Sequence, residues 1–241
     1  MGFALFYLIP YLFVVRYSVN IRGSHHFHAV LTNEFFLLAL KNTAFFILVS
    51  IPVLLVLGYL FTELAVRYKY GGVFNIVLFL PALLPSVSAA NVWIELVPGE
   101  RVFPVILLFI WKNVGLITLI MTAGRMRIAR EVFDAAAIDG AGGLTLHRAI
   151  ILPLMTPVIF FASLVGLIQS FKIFRELYLL SGAYPPEELY MIPHYIFNKF
   201  NKLDYGELSA GTIIFALLIV VIVMAAVFCM IAYTRGRSQK Q

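Results

Sequence analysis

Three stretches of this chain, Gly71 to Ile94, Ala149 to Phe171 and Leu208 to Thr234, contain no charged side chain. Each exceeds the ~20 residues that a helix needs to cross a hydrocarbon core about 30 Å thick. Asn42 to Thr62 is also uncharged, and Val102 to Gly124 holds a single charge, Lys112. Charged residues make up 12% of the chain, against about 25% in ordinary globular domains. The fold class expected is all-α, a polytopic membrane bundle of about six transmembrane helices.

Five spans follow from these runs, and the sixth is the opening segment, Phe3 to Val15, interrupted by Pro10 and closed by Arg16. At ~1.5 Å per residue it is too short to cross. It lacks the basic start and the small-residue cleavage site of a signal peptide. A truncated first helix, a tilted half-span and an interfacial segment are the readings, with truncation preferred.

The net charge of +6 follows membrane topology rather than nucleic acid. Arg67 and Lys69 follow the second span, and Arg125, Arg127, Arg130 and Arg148 flank the connection between the fourth and fifth. Arg235, Arg237 and Lys240 follow the last. Glu34, Glu95, Glu100, Glu176, Glu187, Glu188, Asp204 and Glu207 lie in the alternate connections. Lys and Arg gather on the cytoplasmic side, so the basic loops and the amino terminus are expected inside. Cys229, the single cysteine, is expected as a small packed thiol.

Several residues invite chemistry. His25, His26 and His28 lack the further ligands that a structural zinc site needs and are expected as solvated loop residues. Lys112 lies ~20 Å along a helix from Arg125, a depth at which an ionisable group faces a cavity or partner, or snorkels to the interface. Pro52, Pro81 and Pro85 interrupt spans and are expected to kink them. In the long outer connection from Arg175 to Glu207, "MIPHYIFNKF" is expected to form a short interfacial helix. The aromatics there (Tyr184, Tyr190, Tyr195, Phe197, Phe200 and Tyr205) form a membrane-boundary belt or a surface for an external partner.

The most specified segment is "DAAAIDGAGGLTLHRAIILPLMTP", Asp134 to Pro157. Its alanine-rich start favours helix, Gly140 suits a left-handed helix end, and Thr145 suits the cap of a second helix running toward Pro153. A cytoplasmic helix-turn-helix is therefore expected between spans four and five. Its small residues admit a close partner, and its acids suit a basic one. "DGAG" also resembles the start of the aspartate-rich motif of membrane phosphatidyl-alcohol transferases. Metal-dependent chemistry of that kind needs several carboxylates, and the next aspartate, Asp204, belongs to the opposite side.

Asp134-Ala135-Ala136, Asp139-Gly140-Ala141, Ile150, Leu152-Pro153 and Pro157 resemble, without a gap, the EAA loop of bacterial ABC importer permeases. "LKNTAFF", "FLPALLPSVSAANVW", "WKNVG", "LYLLSG" and "LDYGELSAGTIIFALL" extend the similarity toward the maltose-type sugar permeases, from Leu40 to the last span. "FYLIPYLFVVRYSV" is similar to the second half of that family's first span. Asp134 replaces the family's opening glutamate, Glu131 stands one turn earlier, and His147 stands near a position that is aromatic in the family. The outer loop "ELVPGERVF" is shorter than usual.

The resemblance implies one transmembrane permease domain over residues 1–241, with its coupling loop at about 125–157, in the bacterial plasma (inner) membrane. It implies alternating access driven by separate ABC ATPase subunits, with a second permease subunit and an extracellular or periplasmic substrate-binding protein as further partners beside the lipid bilayer. Nucleic acid has no part in it. Glu131, Asp134, Ala135, Ala136, Asp139, Gly140 and Ala141 are the implied ATPase-coupling residues. Trp111, Lys112, Asn113, Gln169, Ser170, Phe171 and Lys172 are the candidate substrate path, with sugar or oligosaccharide as the implied cargo. No P-loop glycine pattern is present, so the chain is expected to be non-catalytic and to bind no cofactor, the partner ATPase using ATP and Mg. A stand-alone secondary transporter, which needs intramembrane carboxylates for ion coupling, and an ABC permease for a non-sugar solute are the alternatives. The only acid placed near a span interior by the sequence is Glu63.

Overall fold

The computed structural model describes residues 2, 4–19, 25–68, 71–96 and 101–238, and every regular element among them is helical. A π turn, Ala4–Leu8, leads into α1, Ile9–Val19, and α2 covers His25–Leu31. Next come α3, Glu34–Arg67, α4, Gly71–Leu83, α5, Ser86–Leu96, α6, Val102–Arg125, and α7, Arg130–Ile138. The short α8, Gly143–Leu146, passes through a π turn, His147–Ile151, into α9, Leu152–Lys172, followed by α10, Phe174–Ser181. A 3-10 turn, Glu187–Leu189, precedes α11, Ile192–Asn201, and α12, Tyr205–Ser238.

Four helical stretches among the described residues are individually long and apolar enough to cross a membrane: Glu34–Arg67, Val102–Arg125, Gly143–Ser181 and Tyr205–Phe228. The expected third span departs from a kinked rod. It is a pair, α4 and α5, bent by 93°. Pro85 has no N–H to donate, and it disfavours helical backbone at the residue before it. The first helix accordingly closes with Leu84 N–H donating to the Pro81 carbonyl at 3.2 Å, and the second opens with Ala89 N–H on the Pro85 carbonyl at 3.0 Å. Pro52, by contrast, stays inside a continuous α3. The opening segment forms an apolar helix from Leu5 to Val19, shorter than a span.

The chain divides into two compact units, Met1–Phe45 with Ser181–Gln241, and Phe46–Leu180. In the first, α1, α2 and α11 pack on α12, around a core of Val30, Phe36, Ala39, Tyr190, Ile192, Tyr195 and Ala210. The rings of Phe36 and Tyr195 meet edge-on with centroids 5.2 Å apart. Tyr190 and Tyr195 are thus core residues and not boundary aromatics, whereas Tyr184, Phe200 and Tyr205 are exposed. Asn42 and Thr43 fasten the outer connection. The Asn42 amide donates to the Glu187 and Tyr190 carbonyls at 2.6 and 3.0 Å, and Thr43 Oγ1 accepts the Ile192 N–H at 3.0 Å. His25, His26 and His28 lie on α2 rather than in a loop.

In the second unit α6 is the central element, packed by α4 on one side and α9 on another. Its buried residues include Leu108, Phe109, Ile117 and Met121, and Phe109 meets Phe46 of α3 edge-on at 5.3 Å. Gly115 lets α4 come close, since a Cβ there would lie 2.0 Å from the Leu78 carbonyl oxygen. Without a hydrophobic drive between lipid-embedded helices, such small-residue contacts supply the packing energy. The residues 97–100 of the short outer loop, and the side chain of Cys229, lie outside those described.

Candidate functional site

The segment from Arg130 to Ala141 folds as its glycine demands. α7 ends on Asp139, and Gly140 takes a left-handed φ of +72°. Two hydrogen bonds close the helix: Gly140 N–H to the Ala137 carbonyl at 3.1 Å, and Ala141 N–H to the Ala136 carbonyl at 2.9 Å. This pairing is a Schellman end, in which a residue with φ above zero lets the chain reverse while satisfying the last carbonyls. Glu131 in the first turn complements the helix dipole. Ala136 is buried, while Glu131, Asp134, Ala135 and Asp139 are exposed. Ile138 is 88% exposed, so among the described residues none covers the acidic and apolar face of α7.

The base of α7 is tied to two spans. Arg125, at the end of α6, donates from Nε to Glu63 Oε1 of α3 at 2.8 Å, and its guanidinium carbon lies 4.6 Å from the centre of the Phe133 ring. The hydroxyl of Tyr59 on α3 lies 2.7 Å from His147 Nδ1, a hydrogen bond that ties α3 to the π turn leading into α9.

The second half of the helix-turn-helix differs from expectation. Thr145 does not cap it; Gly142 holds the N-cap position, with Thr145 N–H donating back to its carbonyl at 3.2 Å. Nor is it a separate helix. It runs through the π turn into α9 and the span itself. Leu152-Pro153 follow the π turn directly, where α9 begins.

A second feature lies elsewhere in the same unit. A cavity of about 220 Å³ is lined by Ala82, Ser86, Lys112, Asn113, Gln169, Lys172, Ile173, Arg175 and Glu176. Four of the seven candidate path residues, Lys112, Asn113, Gln169 and Lys172, therefore share one space. The other three stand apart. Trp111 packs edge-on against Trp93 with centroids 5.9 Å apart, Ser170 donates to the Leu167 carbonyl at 2.7 Å, and Phe171 is not among the lining residues.

Glu176 corrects the sequence reading. Sequence position alone puts it in an outer connection and leaves Glu63 as the only acid near a span interior, yet it is 3% exposed and forms an ion pair with Lys112. The Ser86 hydroxyl donates to the same carboxylate oxygen at 2.8 Å, a contact made by the helix start that follows the Pro85 break. Lys112 therefore does not snorkel. The signal was present in the spacing: Gln169, Lys172, Ile173 and Glu176 fall on one helical face, so the span continues past Phe171.

In the first unit, a larger cavity of about 460 Å³ is lined by Asn33, Phe35, Leu38, Tyr184, Pro185, Glu187, Tyr190, Tyr195, Asn198, Lys199 and Lys202. Lys199 bridges Asp204 and Glu207. Burial pulls its proton affinity down, and hydrogen bonds to the two carboxylates outweigh that and raise it. Burial pushes the His194 imidazole down to about 4 and holds the Tyr195 phenol well above its ordinary value.

Comparison with known proteins places these features in context. Residues 33–237 match the family model described as the inner membrane component of binding-protein-dependent transport systems. The trehalose/maltose transport system permease protein MalF of Thermococcus litoralis is 28% identical over 218 residues, covering 80% of this chain and 74% of that protein. The arabinooligosaccharides transport system permease protein AraP of Bacillus subtilis is 25% identical, covering 94% and 83%. The sn-glycerol-3-phosphate transport system permease protein UgpA of Yersinia enterocolitica is 26% identical, covering 91% and 83%. Among solved structures, a chain of a bacterial alginate ABC transporter, in complex with an alginate pentasaccharide-bound periplasmic protein, superposes with a TM-score of 0.76 at 22% identity, covering 93% of this chain and 88% of that one.

Proposed function

The chain belongs to the family of inner-membrane components of binding-protein-dependent transport systems, and from that premise we propose that it is the permease subunit of an ATP-driven importer for a saccharide. The proposed assembly pairs it with a second permease subunit, two ABC ATPase subunits and an external substrate-binding protein. ATP and Mg are used by the ATPases, and this chain performs no chemistry of its own. Relatives named for trehalose/maltose and arabinooligosaccharides support a saccharide cargo.

The observation that carries the reading is α7. Its exposed acidic and apolar face, ended by Gly140, is what an ATPase groove would grip. The Arg125 contacts to Glu63 and Phe133 would pass its displacement to α3 and α6. In this proposal Glu131, Asp134, Ala135, Ala136, Asp139, Gly140 and Ala141 couple to the ATPase. The cavity around Lys112, Asn113, Gln169 and Lys172 lies on the cargo path. A secondary transporter is disfavoured because Glu176 is already matched by Lys112 and is not free to bind a coupling ion.

The test is uptake by the assembled complex in proteoliposomes with its binding protein. Transport should require ATP, stop when the ATPase subunits are left out, and persist when a protonophore abolishes the proton gradient. Protonophore-sensitive uptake without the ATPases would overturn the reading. Within it, Gln169→Ala should weaken uptake while leaving the recovery of assembled complex unchanged.

A further inference from the structure

The cavity in the second unit is unevenly charged. It is lined by three cationic side chains, Lys112, Lys172 and Arg175, and by one carboxylate, Glu176. That carboxylate is committed to Lys112 and to the Ser86 hydroxyl. Among the described residues, neither Lys172 nor Arg175 has a carboxylate within ion-pair reach. Lys112 and Glu176 are shielded from solvent while Lys172 and Arg175 are exposed, so the unmatched cations stand on the accessible side. Beside them lie two neutral amides. Asn113 donates to the Phe109 carbonyl at 2.8 Å, which leaves its carbonyl oxygen as the acceptor, and Gln169 offers both a donor and an acceptor.

A neutral solute closing over this cavity would strip water from two cations and give nothing in return, a costly burial of unpaired charge. An anionic group reverses the sign of that effect. The guanidinium fork of Arg175 suits a planar carboxylate or a phosphate, and a lysine ammonium beside it adds a point charge. We propose that the cargo of this permease is an anionic polyhydroxylated solute, a uronate or a phosphorylated sugar. Its carboxylate or phosphate is held by Lys172 and Arg175, and its hydroxyls by Gln169 and Asn113. The inference rests on the reading that this cavity is part of the cargo path. At about 220 Å³ it lies below the ~300–1,000 Å³ of sites for drug-sized ligands, so it seats one sugar residue or the end of a longer chain. The Lys112–Glu176 pair adds no net charge and sets the back wall.

The experiment uses the assembled importer in phosphatidylcholine nanodiscs, titrated with trigalacturonate, glucose 6-phosphate and maltotriose. At least one anionic probe should bind about tenfold or more tightly than maltotriose, with a preference that shrinks as salt screens the cations. In the Lys172→Gln/Arg175→Gln variant, both positions being exposed and compatible with folding, the difference should fall below about twofold. Equal or tighter binding of maltotriose, an unchanged preference in the variant, or no binding of either anionic probe would each overturn the proposal. A lipid phosphate is the other source of the same chemistry. If, in nanodiscs containing phosphatidylglycerol, native mass spectrometry finds that lipid on the wild type in place of the probes and absent from the variant, the cations serve a headgroup and the proposal fails. ATP-driven uptake of maltotriose but neither anionic probe would end the anionic assignment and leave the importer reading standing. Protonophore-sensitive uptake that needs no ATPase would end the importer reading itself.

Discussion

Arg125 and Glu63 join the ends of two different spans, Nε to Oε1 at 2.8 Å, while the same guanidinium covers the Phe133 ring of the projecting helix. One side chain thus touches α3, α6 and α7 at once. Arg125→Leu leaves the largely buried Glu63 carboxylate without its partner, at a cost of roughly 1–3 kcal/mol. A lower thermal midpoint of the purified permease would register it. Adding Glu63→Leu should restore the midpoint but not ATP-driven uptake, because α7 has still lost its cation. Full uptake by the double variant would remove Arg125 from the coupling path.

Gly140 sits at φ +72° with open space around its Cα, so backbone strain and not a clash decides which residues fit. Gly140→Ala should cost about 1 kcal/mol locally and slow uptake. Gly140→Val, β-branched in a left-handed turn, should abolish it. The binding protein's affinity for its ligand, measured separately, should not change in either case. Normal uptake with Val at this position would refute docking through the turn.

Lys112 and Glu176 are a shielded pair, with side chains 15% and 4% exposed. Lys112→Met strands a carboxylate in the span and should cost about 3–5 kcal/mol, seen as a collapse in the recovery of folded permease. Lys112→Met/Glu176→Met should recover most of that loss. If the single variant folds as well as the wild type, the pair is not buried in the membrane as described.

His194 on α11 is fully buried, and burial drives its imidazole from the ordinary 6.5 to about 4. The unfolded chain therefore takes up the proton at a higher pH than the folded one. The stability gained from keeping the ring neutral is complete above pH 6.5 and is lost as pH falls toward 4. Its slope in that window is about 1.4 kcal/mol per pH unit. The thermal midpoint should drop between pH 7 and 4.5, and His194→Asn should flatten that drop. An equally steep drop in the variant would assign the acid sensitivity to other groups.

The local and periodic features were legible from residues alone. Uncharged runs of about twenty or more residues match the length of a helix that crosses a bilayer, and a glycine after an alanine-rich acidic turn has few uses besides a left-handed helix end. The helical class, the places of the five long apolar segments and the turn at Gly140 thus follow from local chemistry along the chain. What tertiary structure decided are the choices that depend on which helices become neighbours. Pro52 and Pro85 are the same residue in similar runs, yet one stays within a continuous helix and the other opens a 93° bend. At that bend the Ser86 hydroxyl finds the Glu176 carboxylate. Glu176 looked like a loop acid until α10 continued the line of α9 and brought it to Lys112, because a carboxylate enters an apolar bundle only where a cation 64 positions away is already waiting. Tyr59 and His147, 88 positions apart, share a hydrogen bond for the same reason. Chain order carries helix periodicity over a few turns, and pairings between distant helices are settled only when their faces are packed together.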